Sequence, residues 1–263
     1  MTLVMQDLAK PRKTYFLERG QYDQRRHELQ PDVPAILGDM DKDLPRNRLG
    51  FAKWLVDPEH PLTARVAVNR HWQRLFGVGI VKSTEEFGTQ GDWPSHPRLL
   101  DWLAGRLVEE GWSLKSIHRL ILTSHAWCQS SVPRTAALAK DADARLLWRF
   151  PPRRLVAEAI RDSMLTVSGS LDPRMGGPGF KVFEVVMENV RHYFPRKTFG
   201  PAQWRRMVYM TKFRQEHDEV FGAFDCPDGN QVVSRRTRST TPLQAMNLLN
   251  GHFVLQQAEQ LLR

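Results

Sequence analysis

Apolar residues recur every three or four positions through much of the chain, a spacing typical of amphipathic helices. Several of these stretches begin at a serine or threonine and end at a glycine or proline, as helices commonly do. The predicted helices cover residues 48–57, 62–76, 95–110, 113–124, 153–168 and 241–263, the last with a bend at Gly251. The pattern therefore predicts a mainly α-helical fold.

Other parts of the chain lack this periodicity. Residues 1–46 hold four prolines and are predicted to be irregular, with one short strand in TYFLERG (14–20). Residues 131–145 resemble a connector. Residues 170–236 form an irregular Gly/Pro-rich insert, in which KVFEVVM and RMVYM allow at most a small β-hairpin. We therefore predict an irregular N-terminal segment followed by a single mainly helical domain over residues 47–263.

The helix predicted over residues 62–76 carries two polar residues on its apolar face. At about 100° per residue, Arg65 and Asn69 fall one turn apart inside the apolar arc. A buried guanidinium costs several kcal/mol unless it is paired, so Arg65 should meet a carboxylate or several carbonyls. Two interpretations remain open. The pair either ties the helix to a loop that lacks backbone partners, or forms the floor of a polar pocket.

The helix predicted over residues 153–168 carries a charged stripe opposite its predicted apolar face. The stripe consists of Arg154, Glu158, Arg161 and Asp162. Their spacing allows ion pairs along a solvated face. Leu165 lies amid the stripe, however, which indicates that another part of the protein covers it. In that case Glu158 or Asp162 is a candidate partner for Arg65.

These residues form one candidate site. The candidate polar cluster is Arg65, Asn69, Glu158, Arg161 and Asp162. Its arginines suit sulfate or carboxylate groups, because a guanidinium donates two parallel hydrogen bonds. Alternatively, Glu158 or Asp162 acts as a base and Arg65 as a substrate clamp. Trp93, in the GDWPSHP loop, is a separate candidate for stacking on a ligand.

The charge balance widens the range of partners without choosing one. The chain has 38 Lys and Arg residues against 29 Asp and Glu residues, a net charge of +9 at pH 7. This permits binding to nucleic acid, acidic lipid or sulfated glycan. Nucleic acid is unfavoured, because the basic residues are scattered and no nucleic-acid-binding motif is present.

The sequence lacks the motifs of several functional classes. There is no P-loop, H-E-x-x-H or G-x-S-x-G pattern. Cys128 and Cys226 lie outside any C-x-x-C or C-x-x-C-H pattern, so neither a cysteine zinc site nor an attached haem is expected. Pairing of the two cysteines and two free thiols both remain open. No apolar run approaches ~18 residues, so no membrane span is predicted. The N-terminus lacks the apolar segment of a secretion signal, which leaves the localisation open.

Long segments of the chain resemble a known family. In order along the chain, they are RLGFAKWLVDPEHPLTARVAVNRHWQRLFGVGIV, EEFGTQGDWPSHPRLLDWLA, GWSLKSIHRLILTS, RLLWRFPPRRLVAEAIRDSMLTVSG, FDCPDGN and TPLQAMNLLN. Through them, nearly the whole chain resembles the planctomycete-specific PSD-one domain, a domain of unknown function.

The resemblance implies a context rather than a reaction. Such domains usually form the C-terminal part of long exported proteins, which often carry a cytochrome-c-like domain. Haem is therefore expected only in a partner domain and not in this chain. We expect an uncharacterised accessory module, periplasmic or extracellular, that binds anionic (sulfated) polysaccharide or docks a redox domain. The alternatives are an enzyme that acts on a glycan through the candidate polar cluster, and nucleic-acid binding through a basic surface.

Overall fold

A computed structural model describes residues 3–8, 10–214, 216, 219–227 and 229–262 of the chain. Positions 1, 2 and 9 of the predicted N-terminal segment lie outside the described residues. So do positions 215, 217, 218 and 228 of the predicted insert, and position 263 of the predicted domain. The chain divides into two compact units, Met1–Pro151 and Pro152–Arg263, where the sequence predicted one domain over 47–263.

The first unit combines one β-hairpin with five helices among its described residues. They are β1 (Thr14–Leu17), β2 (Arg25–Leu29), α1 (Arg48–Leu55), α2 (Thr63–Phe76), α3 (Pro97–Glu109), α4 (Leu114–Leu122) and α5 (Thr135–Leu138). β1 pairs with β2 in antiparallel register, with Thr14 opposite Leu29. The strand predicted within residues 14–20 is thus confirmed. Its partner strand and the short helix α5 in the predicted connector were not foreseen.

The core of the first unit lies among α2, α3 and α4. Its fully buried side chains include Val68, Leu103, Leu107, Ile117 and Ile121. Within α3 and within α4 the two named positions are four residues apart, so they lie on one face of the helix, as amphipathic packing requires. Gly77 ends α2 in a left-handed conformation (φ 89°), which glycine adopts without a side-chain penalty.

The beginnings of α3 and α4 differ in how far the sequence predicted them. Ser113 caps α4 as expected, because its side chain accepts a hydrogen bond from the Ser116 N–H. Ser95 does not cap α3. The residue before α3 is His96, and the Ser95 N–H instead donates to the Ile80 carbonyl at 2.9 Å. Ser95 therefore holds the preceding loop rather than the helix.

The second unit contains one hairpin and four helices among its described residues. They are α6 (Ala157–Val167), β3 (Phe183–Met187), β4 (Arg191–Pro195), α7 (Glu219–Gly222), α8 (Pro242–Asn250) and α9 (His252–Leu261). Gly251 adopts an extended conformation and separates α8 from α9, so the predicted C-terminal helix is two helices. Pro242 begins α8 at its first position, as predicted.

The hairpin of the insert uses only one of the two predicted β-like runs. KVFEVVM supplies β3, but its antiparallel partner β4 is RHYFP, with Val185 opposite Tyr193. RMVYM forms a 3-10 turn instead, Met207–Tyr209. Phe180 then bridges to Met210 in parallel orientation.

The buried face of α6 overlaps only in part with the one that its sequence predicts, since Ile160 and Met164 of the predicted face pack against the core as partly buried residues. Its buried residues are Ala157, Arg161 and Leu165, so Leu165 is covered, as its position indicated. Leu155 and Val167, which were assigned to the apolar face, are 56% and 66% exposed. The helix also begins at residue 157 rather than at 153.

The prediction of a mainly α-helical fold with at most one small hairpin is wrong. In the described part of the chain, helices account for 36% and strands for 9%, the strands lie in two small antiparallel hairpins, and much of the rest is coil. The helical periodicity was real. However, the long stretches between helices contribute structure that apolar spacing does not reveal. Within the described residues, no helix is both long and apolar enough to span a membrane.

Candidate functional site

Asn69 is the fully buried polar residue of α2, and it joins the helix to the following loop. Its side-chain amide donates to the Val81 carbonyl at 3.0 Å, and its oxygen accepts from the Val81 N–H at 2.9 Å. Both hydrogen-bonding groups of one buried peptide position are thus satisfied by one side chain. Asn69 therefore ties α2 to a loop, the first of the two interpretations of the polar pair.

Arg65 lies at the edge of the buried face, with 39% of its side chain exposed. Its Nε donates to Asp101 of α3 at 2.6 Å, and it also donates to the Pro61 carbonyl. Asp101 therefore takes the place of Glu158 or Asp162 as the carboxylate expected for Arg65. Arg65 and Asn69 belong to the first unit, and the other three residues of the candidate polar cluster belong to the second.

Arg161 is almost completely buried in the second unit, with a relative exposure of 1%. Its guanidinium donates to the carbonyls of Gln203 and Arg205. It also lies 4.9 Å from the ring centroids of both Phe180 and Phe253. Carbonyl oxygens and aromatic faces thus replace the water that a guanidinium would lose on burial.

The two carboxylates of α6 are occupied by neighbouring groups. Asp162 accepts from the Met207 N–H at 2.7 Å, at the beginning of the 3-10 turn. Both oxygens of Glu158 accept from Nη1 of Arg236, at 2.8 and 2.7 Å. Burial raises the pKa of Glu158, but the hydrogen bonds and charge of Arg236 lower it overall. At neutral pH Glu158 is therefore an ionised partner for arginine and a weak base.

A second ion pair lies beside the Glu158–Arg236 pair. Arg154 pairs with Asp225 and also donates to the carbonyls of Ser239 and Phe224. Asp225 accepts from the backbone N–H and the hydroxyl of Ser239, at 2.7 and 2.9 Å. Burial raises the pKa of Asp225, but the Ser239 hydrogen bonds and the Arg154 charge lower it overall. This network fixes the segment around Ser239 to the residues just before α6.

Positive charge accumulates around these two ion pairs. We define the arginine surface as Arg153, Arg154, Arg235, Arg236 and Arg238. The pKa of Arg238 is lowered by burial and by the charges of Arg154, Arg235 and Arg236. The pKa of Arg153 is lowered by burial and by Arg238. These guanidinium groups are thus close enough to repel one another, and the surface contains more of them than carboxylates.

Of this surface, only Arg154 was named from the sequence, as part of the charged stripe of the predicted helix and not as part of the candidate polar cluster. The run RRTRSTT (235–241) spans the boundary between the predicted insert, which ended at residue 236, and the last predicted helix, which began at residue 241. It was given no role, although three arginines in four residues are a local signal. Asp225 and Ser239 carried no signal, because their roles depend on contacts that join residues 71 to 85 positions apart.

A comparison with family models matches residues 47–263 to PSD1, described as a protein of unknown function (DUF1553). The chain belongs to the PSD1 family. No curated protein and no solved structure matches the chain significantly. The match confirms the domain of unknown function that the resemblance indicated. The planctomycete restriction and the cytochrome context stay expectations.

Trp93 lies within the PSD1 match, in the loop between α2 and α3. Its side chain is 90% exposed, so its ring is accessible to a ligand. Stacking on a sugar or a base stays a prediction. Cys128 and Cys226 are both free thiols. Among the described residues, no three His, Cys, Asp or Glu side chains are grouped to hold a metal ion.

A cavity of a size typical of small-ligand sites lies mainly outside the PSD1 match. It has a volume of about 670 Å³ and borders the N-terminal segment in the first unit. Two arginines on its wall are neutralised by carboxylates of the same wall: Arg46 pairs with Asp32 at 2.7 Å, and Arg48 pairs with Asp7. It therefore offers less unbalanced charge than the arginine surface.

A histidine pair joins α2 to α4 within the PSD1 match. Nδ1 of His71 lies 2.9 Å from Nε2 of His118. Burial lowers the pKa of His71 from its ordinary value of 6.5, and the charges of His118 and Arg74 lower it further. His71 therefore takes up a proton less readily in the folded protein than in the unfolded chain.

We expect the histidine pair to make the first unit less stable in acid. Because the folded pKa is lowered, the stabilisation is complete above pH 6.5 and is lost as the pH falls through the folded pKa. Urea unfolding at pH 7.5 and at pH 5.5 measures the loss, and His71→Gln should reduce it by a few tenths of a kcal/mol, given solvent screening. His125→Gln, at an exposed histidine, is the control. An equal loss in wild type and His71→Gln would contradict the prediction.

Proposed function

We propose that this PSD1 chain is a binding module for anionic groups and that the arginine surface of the second unit is its ligand site. The observation that carries the proposal is the excess of guanidinium groups on that surface. Five arginines accompany two carboxylates, Asp225 and Glu158. The described groups that shift the pKa of Arg238 are other arginines, and their repulsion would be relieved by a bound anion.

The geometry favours sulfate or carboxylate groups of a polymer. Arg235 and Arg238 are exposed and have no carboxylate partner among the described residues, so their planar forks are available for two-point hydrogen bonds. The resemblance suggests a sulfated polysaccharide as the polymer. A cytochrome-c-like partner domain would be the second occupant, provided that it presents an acidic face. Trp93 offers a separate stacking surface in the first unit.

The enzyme alternative receives less support from the same residues. A general base needs a free carboxylate with a pKa near the working pH. Glu158 has a lowered pKa and is engaged by Arg236, and Asp162 is engaged by the Met207 N–H. Arg65, the expected substrate clamp, is paired with Asp101. The arrangement therefore supports binding rather than acid–base chemistry.

A titration of the whole chain against heparin, neutral dextran and duplex DNA tests the proposal, each at low and at near-physiological salt. We expect saturable binding to heparin alone at the higher salt. At up to about 1 kcal/mol per exposed charge contact, Arg235→Gln/Arg238→Gln should weaken this binding roughly tenfold.

The control removes the same charge elsewhere on the second unit. Arg191 and Lys197 are both exposed, and Arg191→Gln/Lys197→Gln should leave the heparin affinity within about twofold of wild type, since surface charges away from the site contribute little. Equal losses in the two double variants would reject the arginine surface. Equal binding to heparin and DNA that disappears with salt would mean a generic basic surface.

A further inference from the structure

A cavity in the second unit lies apart from the groups that define the arginine surface. Its volume is about 260 Å³, just below the ~300–1,000 Å³ of sites for drug-sized ligands. It is bordered by β3, β4, the segment around Phe199 and the beginning of α9. An occupant should therefore be small, with roughly the dimensions of a single ring.

Phenylalanines supply the aromatic part of the cavity wall. Phe183, Phe199, Phe221 and Phe253 all line it. The rings of Phe199 and Phe221 meet the ring of Phe253 edge to face, at centroid distances of 5.5 and 5.6 Å. These contacts hold the rings in fixed orientations. A planar apolar group would find both faces and edges of aromatic rings to contact.

The charged groups of the wall are all basic. Arg161 and Arg196 line the cavity, and no Asp or Glu is among the described residues around it. Nε of Arg196 is buried without a hydrogen-bond partner, and its only ion pair in the described residues is a long one, 3.6 Å to Glu184. The Arg196 guanidinium is therefore only weakly neutralised within the described part of the protein, which leaves its charge to attract an anion in the cavity.

The polar groups nearby are also suited to an anion. Asn250 and His252 are among the residues that line the cavity, and α9 begins there without a side-chain cap. The uncapped first turn leaves backbone N–H groups and the positive end of the helix dipole at this wall. These groups add to the charge of Arg196.

We infer that this cavity binds a small aromatic carboxylate, with the ring among the phenylalanines and the carboxylate on Arg196. The apolar walls exclude a bare inorganic anion as the best fit, because it would leave the phenylalanine surface empty. The basic wall disfavours a cation. This site does not depend on the arginine surface or on a polymeric ligand.

Calorimetric titration of the whole chain with benzoate, benzamide and acetate tests the inference. Benzamide keeps the ring without the charge, and acetate keeps the charge without the ring. We expect benzoate to bind at least about tenfold more tightly than either, since each lacks one of the two contacts. Benzoate should also shift the NMR signals of Phe199 and Phe253.

Variants of β4 and its end locate the carboxylate. Arg196→Gln should weaken benzoate binding about tenfold, whereas Arg191→Gln, at an exposed arginine that begins β4, should not change it. Arg196→Lys, which keeps the charge, should bind with intermediate affinity and also serves if the glutamine variant fails to fold. Arg235→Gln/Arg238→Gln should bind benzoate as wild type does.

Three results would overturn the inference. Benzamide or acetate could equal benzoate, which would mean that ring or charge alone is recognised. Arg191→Gln could weaken binding as much as Arg196→Gln, which would mean a general charge effect. Benzoate could fail to bind saturably. Loss of heparin binding in Arg235→Gln/Arg238→Gln with benzoate binding intact would separate this site from the arginine surface.

Discussion

Replacing Arg161 with methionine should destabilise the second unit by about 2–4 kcal/mol, despite removing a buried charge. The variant recovers the cost of desolvating the guanidinium, which opposes the effect. It also loses two charge-assisted hydrogen bonds and two cation–π contacts, and it leaves the carbonyls of Gln203 and Arg205 without this donor. The losses are larger because methionine can fill the volume but can donate no hydrogen bond.

Amide hydrogen exchange measures this effect separately for each unit. Exchange in α6 should accelerate in Arg161→Met, while exchange in α3 of the first unit should not change. Arg161→Lys should also be destabilised, because lysine keeps the charge but not the fork that spans two carbonyls. Arg206→Met, at a residue 52% exposed, is the matched control and should stay within about 0.5 kcal/mol of wild type. Unchanged exchange in α6 of Arg161→Met would mean that the burial of Arg161 is energetically neutral.

The behaviour of α6 shows where sequence periodicity stops being informative. The helix itself was predicted, and so was some cover over Leu165. Its buried face was predicted only in part, because a helical wheel assigns arginine to solvent, whereas Arg161 packs between two phenylalanines. Phe180 and Phe253 lie 19 and 92 positions further along the chain, so no local pattern could reveal them. Residues 153–156, which were predicted to be helical, lie outside α6 for a similar reason. Arg154 is held by Asp225 and by the Ser239 carbonyl.

The second strand of the insert hairpin and the arginine surface also could not be predicted, because both depend on contacts with other parts of the chain. RHYFP carries little strand signal of its own and becomes β4 because β3 pairs with it. The arginine surface joins residues 153–154 to residues 235–238, and only the three-dimensional structure brings those runs together. By contrast, the position of Asn69 was predictable, since an asparagine amid apolar neighbours on a helix must find a partner.

Replacing Asn69 with leucine should destabilise the first unit by about 3 kcal/mol, because two buried backbone groups lose their partner. Leucine has the same number and branching of side-chain heavy atoms as asparagine and is the larger of the two, so none of the effect can come from a cavity. The loss of stability should therefore come from the N–H and carbonyl of Val81, which are buried and are both hydrogen-bonded to Asn69 in the wild type. The loop around Gly79 should separate from α2, and the Val81 amide should exchange rapidly. Urea unfolding gives the total effect, and hydrogen exchange at Val81 locates it.

Gln73 supplies the control, because it lies one turn further along the same helix and is also buried. Its side chain makes no hydrogen bond to the described residues, so Gln73→Leu should change the stability by no more than about 0.5 kcal/mol. Gly79→Ala tests the same pair of Asn69–Val81 hydrogen bonds, the Asn69 bridge, by a change in the loop instead of the helix. A Cβ there would lie 2.7 Å from Nδ2 of Asn69 and would push the bridge apart. If the bridge is the common cause, the Asn69→Leu and Gly79→Ala effects should not add in the double variant. Full additivity would show that Asn69 stabilises the unit through packing, and not through its two hydrogen bonds to Val81.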